Sequence, residues 1–260
     1  MKTPPRPHAS EQDATTRVDA WAELRQYTAA RLALGRSGVS LPTREVLGFG
    51  LSHAMARDAV YLPLDMPAMA AQLQQRGIDS IAVSSQAGDR ETYLLRPDLG
   101  RRLGSEDQKR LSQLARPCDL LLVIGDGLSS IAIERHAVPL VDAIVARCPA
   151  GIMLGPVVLA HQARVALGDV IGEAMGAPMV AMLIGERPGL SAPDSLGIYL
   201  THAPCAGRLD AERNCISNVR PEGLGYEPAA RKLWWLIAAA RRLGQTGVAL
   251  KDDSTAALDG

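Results

Sequence analysis

Leu120 to Ile133 reads LLLVIGDGLSSIAI: an unbroken apolar run, a glycine-bearing turn, then apolar residues at helical spacing. A strand covered on both faces needs such a run, and parallel strands need a crossover, usually a helix, between them. The stretch therefore predicts a strand–loop–helix unit of a parallel sheet. Two further apolar runs, PVVLA at Pro156 to Ala160 and MVAMLI at Met179 to Ile184, flank a helical stretch containing Ile171, Glu173 and Ala174, which repeats the alternation. LGIYLTH, Leu196 to His202, adds a strand, and Tyr226 to Leu243 forms a long closing helix.

Upstream, Ser105-Glu106-Asp107-Gln108 fits a capping box that starts a helix running to about Ala115. IAVSS (Ile81 to Ser85) and ETYLL (Glu91 to Leu95) read as short strands joined through Gln86 to Arg90 as a hairpin. Before them the chain reads as all-helical. Trp21, Leu24 and Leu32 share one face of a helix from Val18 to Leu34, stopped by Gly35 and Gly38. A second helix opens at Pro42-Thr43 with Leu47, Leu51, Ala54 and Met55 on a stripe, and a third follows Asp65 and ends at Gly77. Residues 1–15, with Pro4, Pro5 and Pro7, are expected to be a disordered lead-in. The expected organisation is that lead-in, a small all-helical N-terminal domain over 16–77, and a Rossmann-like α/β domain with a mostly parallel sheet over 78–260.

Composition narrows the function classes. The 260 residues are 47% hydrophobic but only 3% aromatic, which suits helices packed on a sheet through Ala, Leu, Val, Ile and Met. Lys plus Arg and Asp plus Glu both total 28, so no net field draws in nucleic acid or an acidic membrane. Cys118, Cys148, Cys205 and Cys215 form no CxxC pair and read as free thiols. His8, His53, His136, His161 and His202 are scattered, without the spacing of a helical metal pair, and no G-x-S-x-G nucleophile elbow occurs. No apolar run reaches the roughly 18 residues that span a bilayer, and the N-terminus carries no apolar signal region, so the chain reads as cytosolic.

Candidate sites follow from where apolar runs end, because open α/β sheets bind ligands beyond the carboxyl ends of their strands. Gly125-Asp126-Gly127 occupies such a position but lacks the G-x-G-x-x-G spacing; it reads as a tight turn or as the phosphate turn of a stand-alone nucleotide-binding or regulatory module. Gly185-Glu186-Arg187-Pro188-Gly189-Leu190 follows the run ending at Ile184, and Glu186 there is a ligand contact or half of a local ion pair. His161 to Val165 follows the preceding run, which predicts that Val165 and Glu186 lie on neighbouring strand ends with a crevice between them. Val165 alone also fits a buried residue at a helix start, and Arg164 either an anion anchor or a surface charge. Asp210 to Arg220, dense in hydrogen-bonding side chains, reads as a site-lining loop, with Cys215 suited to packing or ligand contact rather than to nucleophilic attack.

ARVALGDVIGE (163–173), LIGERPGLSAPDSLGIYLT (183–201) and AERNCISNVRPEGLGYEPAA (211–230) together resemble the ethanolamine ammonia-lyase small (light) subunit family, as do ARLALGRSGVSLPT, LSHAMARDAV, YLLRPDLGRRL and DLLLVIGDGLSSIAI upstream. The likeness runs from about Tyr27 to Leu250. It implies a helical domain and a Rossmann-like domain that hold adenosylcobalamin against a large catalytic subunit in a hetero-oligomer. It also implies that the complex converts ethanolamine to acetaldehyde and ammonia by a radical route, with the substrate bound mainly by the large subunit. By motif, the family's cobalamin-binding positions fall on Val165, Glu186 and Cys215, and no acid, base, nucleophile or metal ligand is implied in this chain. Ala163 stands where the family often has glycine. The setting implied is the cytoplasm or, as a family trait, a bacterial microcompartment; the N-terminal extension that directs some members there is not evident in the proline-rich lead-in.

Overall fold

A computed structural model describes residues 16–17, 21–28 and 30–254; the expected lead-in and His8 lie outside them. The chain forms two compact units, one ending at Ala56 and the other beginning at Arg57.

In the first unit, strands β1 (Thr16–Arg17) and β2 (Arg36–Ser37) pair antiparallel, and helix α1 (Thr43–Tyr61) begins. The helix expected over Val18 to Leu34 is not formed: the described part holds a 3-10 turn, Ala22–Gln26, and then irregular chain. Trp21, Leu24 and Leu32 are 68%, 40% and 41% exposed, so no apolar face is buried to sustain a short helix. Arg25 closes the segment instead. Its guanidinium donates to the Leu32 carbonyl at 2.7 Å and to the Ala33 carbonyl, and pairs with Glu45 at 3.2 Å.

The second unit is α/β. After α1, helix α2 (Met66–Gln74) is capped by Asp65, which accepts from the Ala68 amide at 2.9 Å, and the chain leaves it through Gly77 at φ +71°. Strands β3 (Ser80–Ser84), β4 (Leu121–Gly125), β5 (Val157–His161), β6 (Met179–Gly185), β7 (Leu196–His202) and β8 (Asn214–Val219) form one sheet in the order β3-β5-β4-β6-β7-β8. The first four run parallel; β7 and β8 add an antiparallel edge. The sheet is therefore mixed and mostly parallel.

Alternate strand residues feed two cores. Leu122, Ile124, Leu159, Leu183, Ile198 and Ile216 pack with α2, α5 (Ser130–Ala146) and α7 (Tyr226–Leu243). Leu121, Val123, Val158, Met182 and Ile184 pack with α4 (Ser105–Leu114) and α6 (Leu167–Ala174) on the opposite face. Helix α7 covers one side of β7 and β8, while on the other Tyr199 is half-buried and Cys215 exposed.

Three local expectations are corrected. ETYLL is not the second strand of a hairpin but lies in helix α3 (Arg90–Leu95), because Asp89 caps it through the Thr92 amide at 2.7 Å and Tyr93 is fully buried beneath it. Its supposed partner β3 pairs with β5 instead. Helix α4 does start at Ser105, but without the capping box: Gly104 is its cap residue, and Asp107 turns outward to accept from the Ser84 amide at 2.7 Å. Asp210 to Arg220 is not one loop. It is a 3-10 turn, Asp210–Glu212, followed by edge strand β8, whose polar composition reflects its open face.

Candidate functional site

The strand ends meet at a tightly packed seam. Gly127 adopts φ +59°, and a Cβ there would stand 2.2 Å from the Gly185 carbonyl oxygen, so the turn after β4 and the end of β6 touch backbone to backbone. The Leu128 amide donates to that same carbonyl at 2.9 Å. The glycines serve chain packing, and the Gly125–Gly127 turn offers a phosphate no open cradle.

Asp126, between those glycines, is 2% exposed and accepts from the Gln162 and Ala163 amides, both at 2.9 Å. Arg90 lies 3.7 Å and His161 3.3 Å from its carboxylate. Burial pushes the Asp126 carboxyl pKa up, and the two amides, Arg90 and His161 pull against it. Tyr93 donates to the Ala163 carbonyl at 3.0 Å, and its ring is stacked by Arg164 at 4.2 Å and Arg90 at 4.6 Å. Arg164 is thus an internal stacking residue, not a surface charge. The network fixes residues 161–164 and delivers Val165, half-buried, to the start of α6, where it packs on the same core as Tyr199.

Glu186 follows the last residue of β6 and folds across β7. Its Oε2 accepts from the Ser195 hydroxyl and from the Asn218 amide at 3.3 Å, while Oε1 has no protein donor among the described residues. Gly197 makes room for it: a Cβ at that position would lie 2.8 Å from Oε1. Tyr199 and Cys215 are paired across β7 and β8, and the Glu186 charge acts on both. Partial desolvation raises the Cys215 thiol pKa; the Tyr199 contact opposes the rise and the Glu186 charge adds to it. The sulfur is held as a neutral thiol.

The loop that carries Glu186 is anchored from behind. Ser129 donates its hydroxyl to the Pro193 carbonyl at 2.8 Å, and Asp194 takes Arg135 at 2.9 Å. His136, 5% exposed, meets the Tyr226 hydroxyl through Nδ1 at 2.8 Å and faces Asp194 at 3.5 Å through Nε2.

The structure groups Glu186 and Cys215 around Tyr199 and sets Val165 against the same face of the sheet. Val165 and Glu186 do not follow neighbouring strands: β4 lies between β5 and β6, and the predicted crevice between adjacent ends is corrected accordingly. Sequence reasoning gave no individual role to Tyr199 or Ser195, placed Asn218 only in the site-lining stretch, and read Asp126 only as part of the Gly125–Gly127 turn. The alternation of LGIYLTH, which turns Tyr199 away from Ile198 and Leu200, was the one available signal for Tyr199. Among the described residues no group of three or more His, Cys, Asp or Glu side chains is placed to hold a metal ion, and no helix is long and apolar enough to cross a membrane.

Comparison with known proteins adds a second line. The family model described as the ethanolamine ammonia-lyase light chain matches residues 18–251. The chain is 53% identical over 246 residues to the ethanolamine ammonia-lyase small subunit of Azotobacter vinelandii, covering 92% of this chain and 91% of that protein. It is 52% identical over 244 residues to the small subunit of Ralstonia nicotianae, covering 92% and 90%. With that of Bradyrhizobium diazoefficiens it shares 54% identity over 235 residues, 89% of this chain and 90% of the relative.

Proposed function

The chain belongs to the ethanolamine ammonia-lyase light-chain family and acts as the small subunit of that lyase; on this premise we propose that its open β7–β8 face binds adenosylcobalamin against a large catalytic subunit. The second unit is read here as a Rossmann-like platform and the setting as the cytoplasm. One observation carries the cofactor assignment: Glu186 Oε1, without a protein donor among the described residues, is held beside the half-buried Tyr199 and the exposed Cys215 on one face of β7 and β8.

The residues suit the group. A corrin is a broad, largely apolar ring edged with amide side chains, so it needs an apolar shelf and a few fixed acceptors. Val165, the Tyr199 ring and the neutral Cys215 thiol supply the shelf, and the Glu186 carboxylate accepts from an amide or hydroxyl. Two internal donors hold that carboxylate in position, so little ordering is left for binding to offset. When bound, adenosylcobalamin supplies a cobalt–carbon bond whose homolysis generates the radical that acts on ethanolamine. The chain's own part is to bind, orient and exclude water.

Two measurements test the reading: ammonia release by the chain mixed with a large subunit and adenosylcobalamin, and cobalamin titration of the same complex carrying Glu186→Ala. Cofactor-dependent release together with weakened binding is expected. Release without added cofactor, or unchanged affinity in the variant, would overturn the cofactor role.

A further inference from the structure

A second cleft, of about 620 Å³, opens on the outer side of α6, lined by the loop at 98–103, by Gln108 of α4, by Ala166 and Val170, and by the segment 206–210. Its size is that of a small-molecule site. Most of its charges are already matched: Asp98 is held by Arg96 at 2.9 and 2.8 Å, Asp210 by Arg213 at 2.8 Å, and Arg208 by Glu212 at 2.5 Å. Arg101 and Arg102 are the exceptions. Both are exposed, and among the described residues neither guanidinium has a hydrogen-bond or ion-pair partner.

The backbone under these arginines is pinned. The Arg164 amide donates to the Gly100 carbonyl at 2.8 Å, and the Gln86 amide donates to the Arg102 carbonyl at 2.9 Å. A Cβ on Gly100 would stand 2.9 Å from the Arg164 side chain and 3.1 Å from the Tyr93 ring, so the loop lies directly on the network that presents Val165. Two unpaired, forked donor groups on a fixed frame, facing an apolar wall of Ala166, Val170, Leu103 and Leu209, match an anion joined to a flat apolar body.

We propose that this cleft binds a phosphate-bearing ligand of nucleotide size, with Arg101 and Arg102 holding the phosphate. Two sources carry that chemistry: a free nucleotide, or the phosphodiester in the nucleotide loop of a cobalamin. Only the second source rests on the cofactor reading above.

The test titrates the full chain, in complex with its large subunit, with adenosine monophosphate, adenosine, cobalamin, and cobinamide, which lacks the nucleotide loop. Wild type is compared with the double variant Arg101→Gln/Arg102→Gln, whose exposed substitutions leave the core intact. At least tenfold weaker binding of adenosine monophosphate, with adenosine and both corrinoids unchanged, identifies a free nucleotide. At least tenfold weaker binding of cobalamin, with cobinamide unchanged, identifies the cofactor's own phosphodiester. Equal behaviour of wild type and variant toward adenosine monophosphate and cobalamin overturns the proposal. It leaves the cofactor reading standing if Glu186→Ala still weakens cobalamin.

Discussion

The Glu186 carboxylate accepts the Asn218 amide at 3.3 Å, joining the loop after β6 to edge strand β8. One side chain thus ties the open face together and offers it an acceptor. Glu186→Ala is expected to weaken cobalamin binding about ten- to a hundredfold, the scale of a lost hydrogen bond to a charged group, while lowering stability by only about 1 kcal/mol. Absorbance titration and urea unfolding separate the two effects; a stability loss with no change in affinity would make Glu186 a strut and not a ligand contact.

Asp169 and Arg213 form an ion pair with both side chains 2% exposed, tying the first turn of α6 to the start of β8. Removing Asp169 leaves the buried Arg213 charge with only the exposed Asp210 carboxylate as its partner, so Asp169→Ala should cost up to about 3–5 kcal/mol in urea unfolding. The double change Asp169→Leu/Arg213→Met removes both charges and should recover much of that loss. A double variant as unstable as the single one would mean that packing, not the stranded charge, sets the cost.

Burial holds the His136 pKa below its ordinary value, and Asp194 only partly restores it. The unfolded chain therefore takes up this proton at higher pH than the folded one. The contribution to stability is complete above about pH 6.5, the ordinary histidine value, and is lost as pH falls toward the depressed folded value. His136→Gln should flatten that acid limb while costing about 1 kcal/mol at pH 8 through the Tyr226 contact. Unfolding curves between pH 5 and 8 check it; an unchanged slope would assign the limb to another group.

Gly127 and Gly176 both have left-handed backbones, at φ +59° and +62°, but only Gly127 faces a neighbouring main chain. Gly176→Ala should cost about 1–2 kcal/mol, the backbone preference alone. Gly127→Ala adds overlap with the Gly185 carbonyl and should cost more than about 3 kcal/mol or abolish soluble folding. Thermal melts of the two variants decide; equal losses would show that the seam can open.

The buried strands were legible because an unbroken apolar run has few other uses: Leu121 to Ile124 and Met179 to Ile184 lie in strands, and Tyr226–Leu243 is the helix its periodicity describes. What failed depended on partners distant in sequence. Glu91 to Leu95 has residues at home in strands, yet the Asp89 cap and the burial of Tyr93 under Arg164 make it helical. The polar stretch from Asn214 to Val219 hid a strand because Cys215 and Ser217 face away from α7. At the site, motif and strand-end reasoning reached Glu186 and Cys215 but not Tyr199 between them. The insertion of β5 between β3 and β4, which separates Val165 from Glu186, leaves no trace in periodicity, since it is a choice of neighbour and not of conformation.

That insertion has a consequence during synthesis. Among the described residues strand β3 pairs with β5 alone, so Ser80 to Ser84 emerges from the ribosome long before the segment that pairs with it. With elongation at about 5–20 residues per second, the interval lasts seconds, during which an unsatisfied strand is open to mispairing. Ser80, Ser84 and the short span of β3 keep its edge weakly adhesive for that interval. Completion of the nascent domain is therefore timed by the arrival of Val157 to His161, and a pause in translation ahead of that point would lengthen the vulnerable stage.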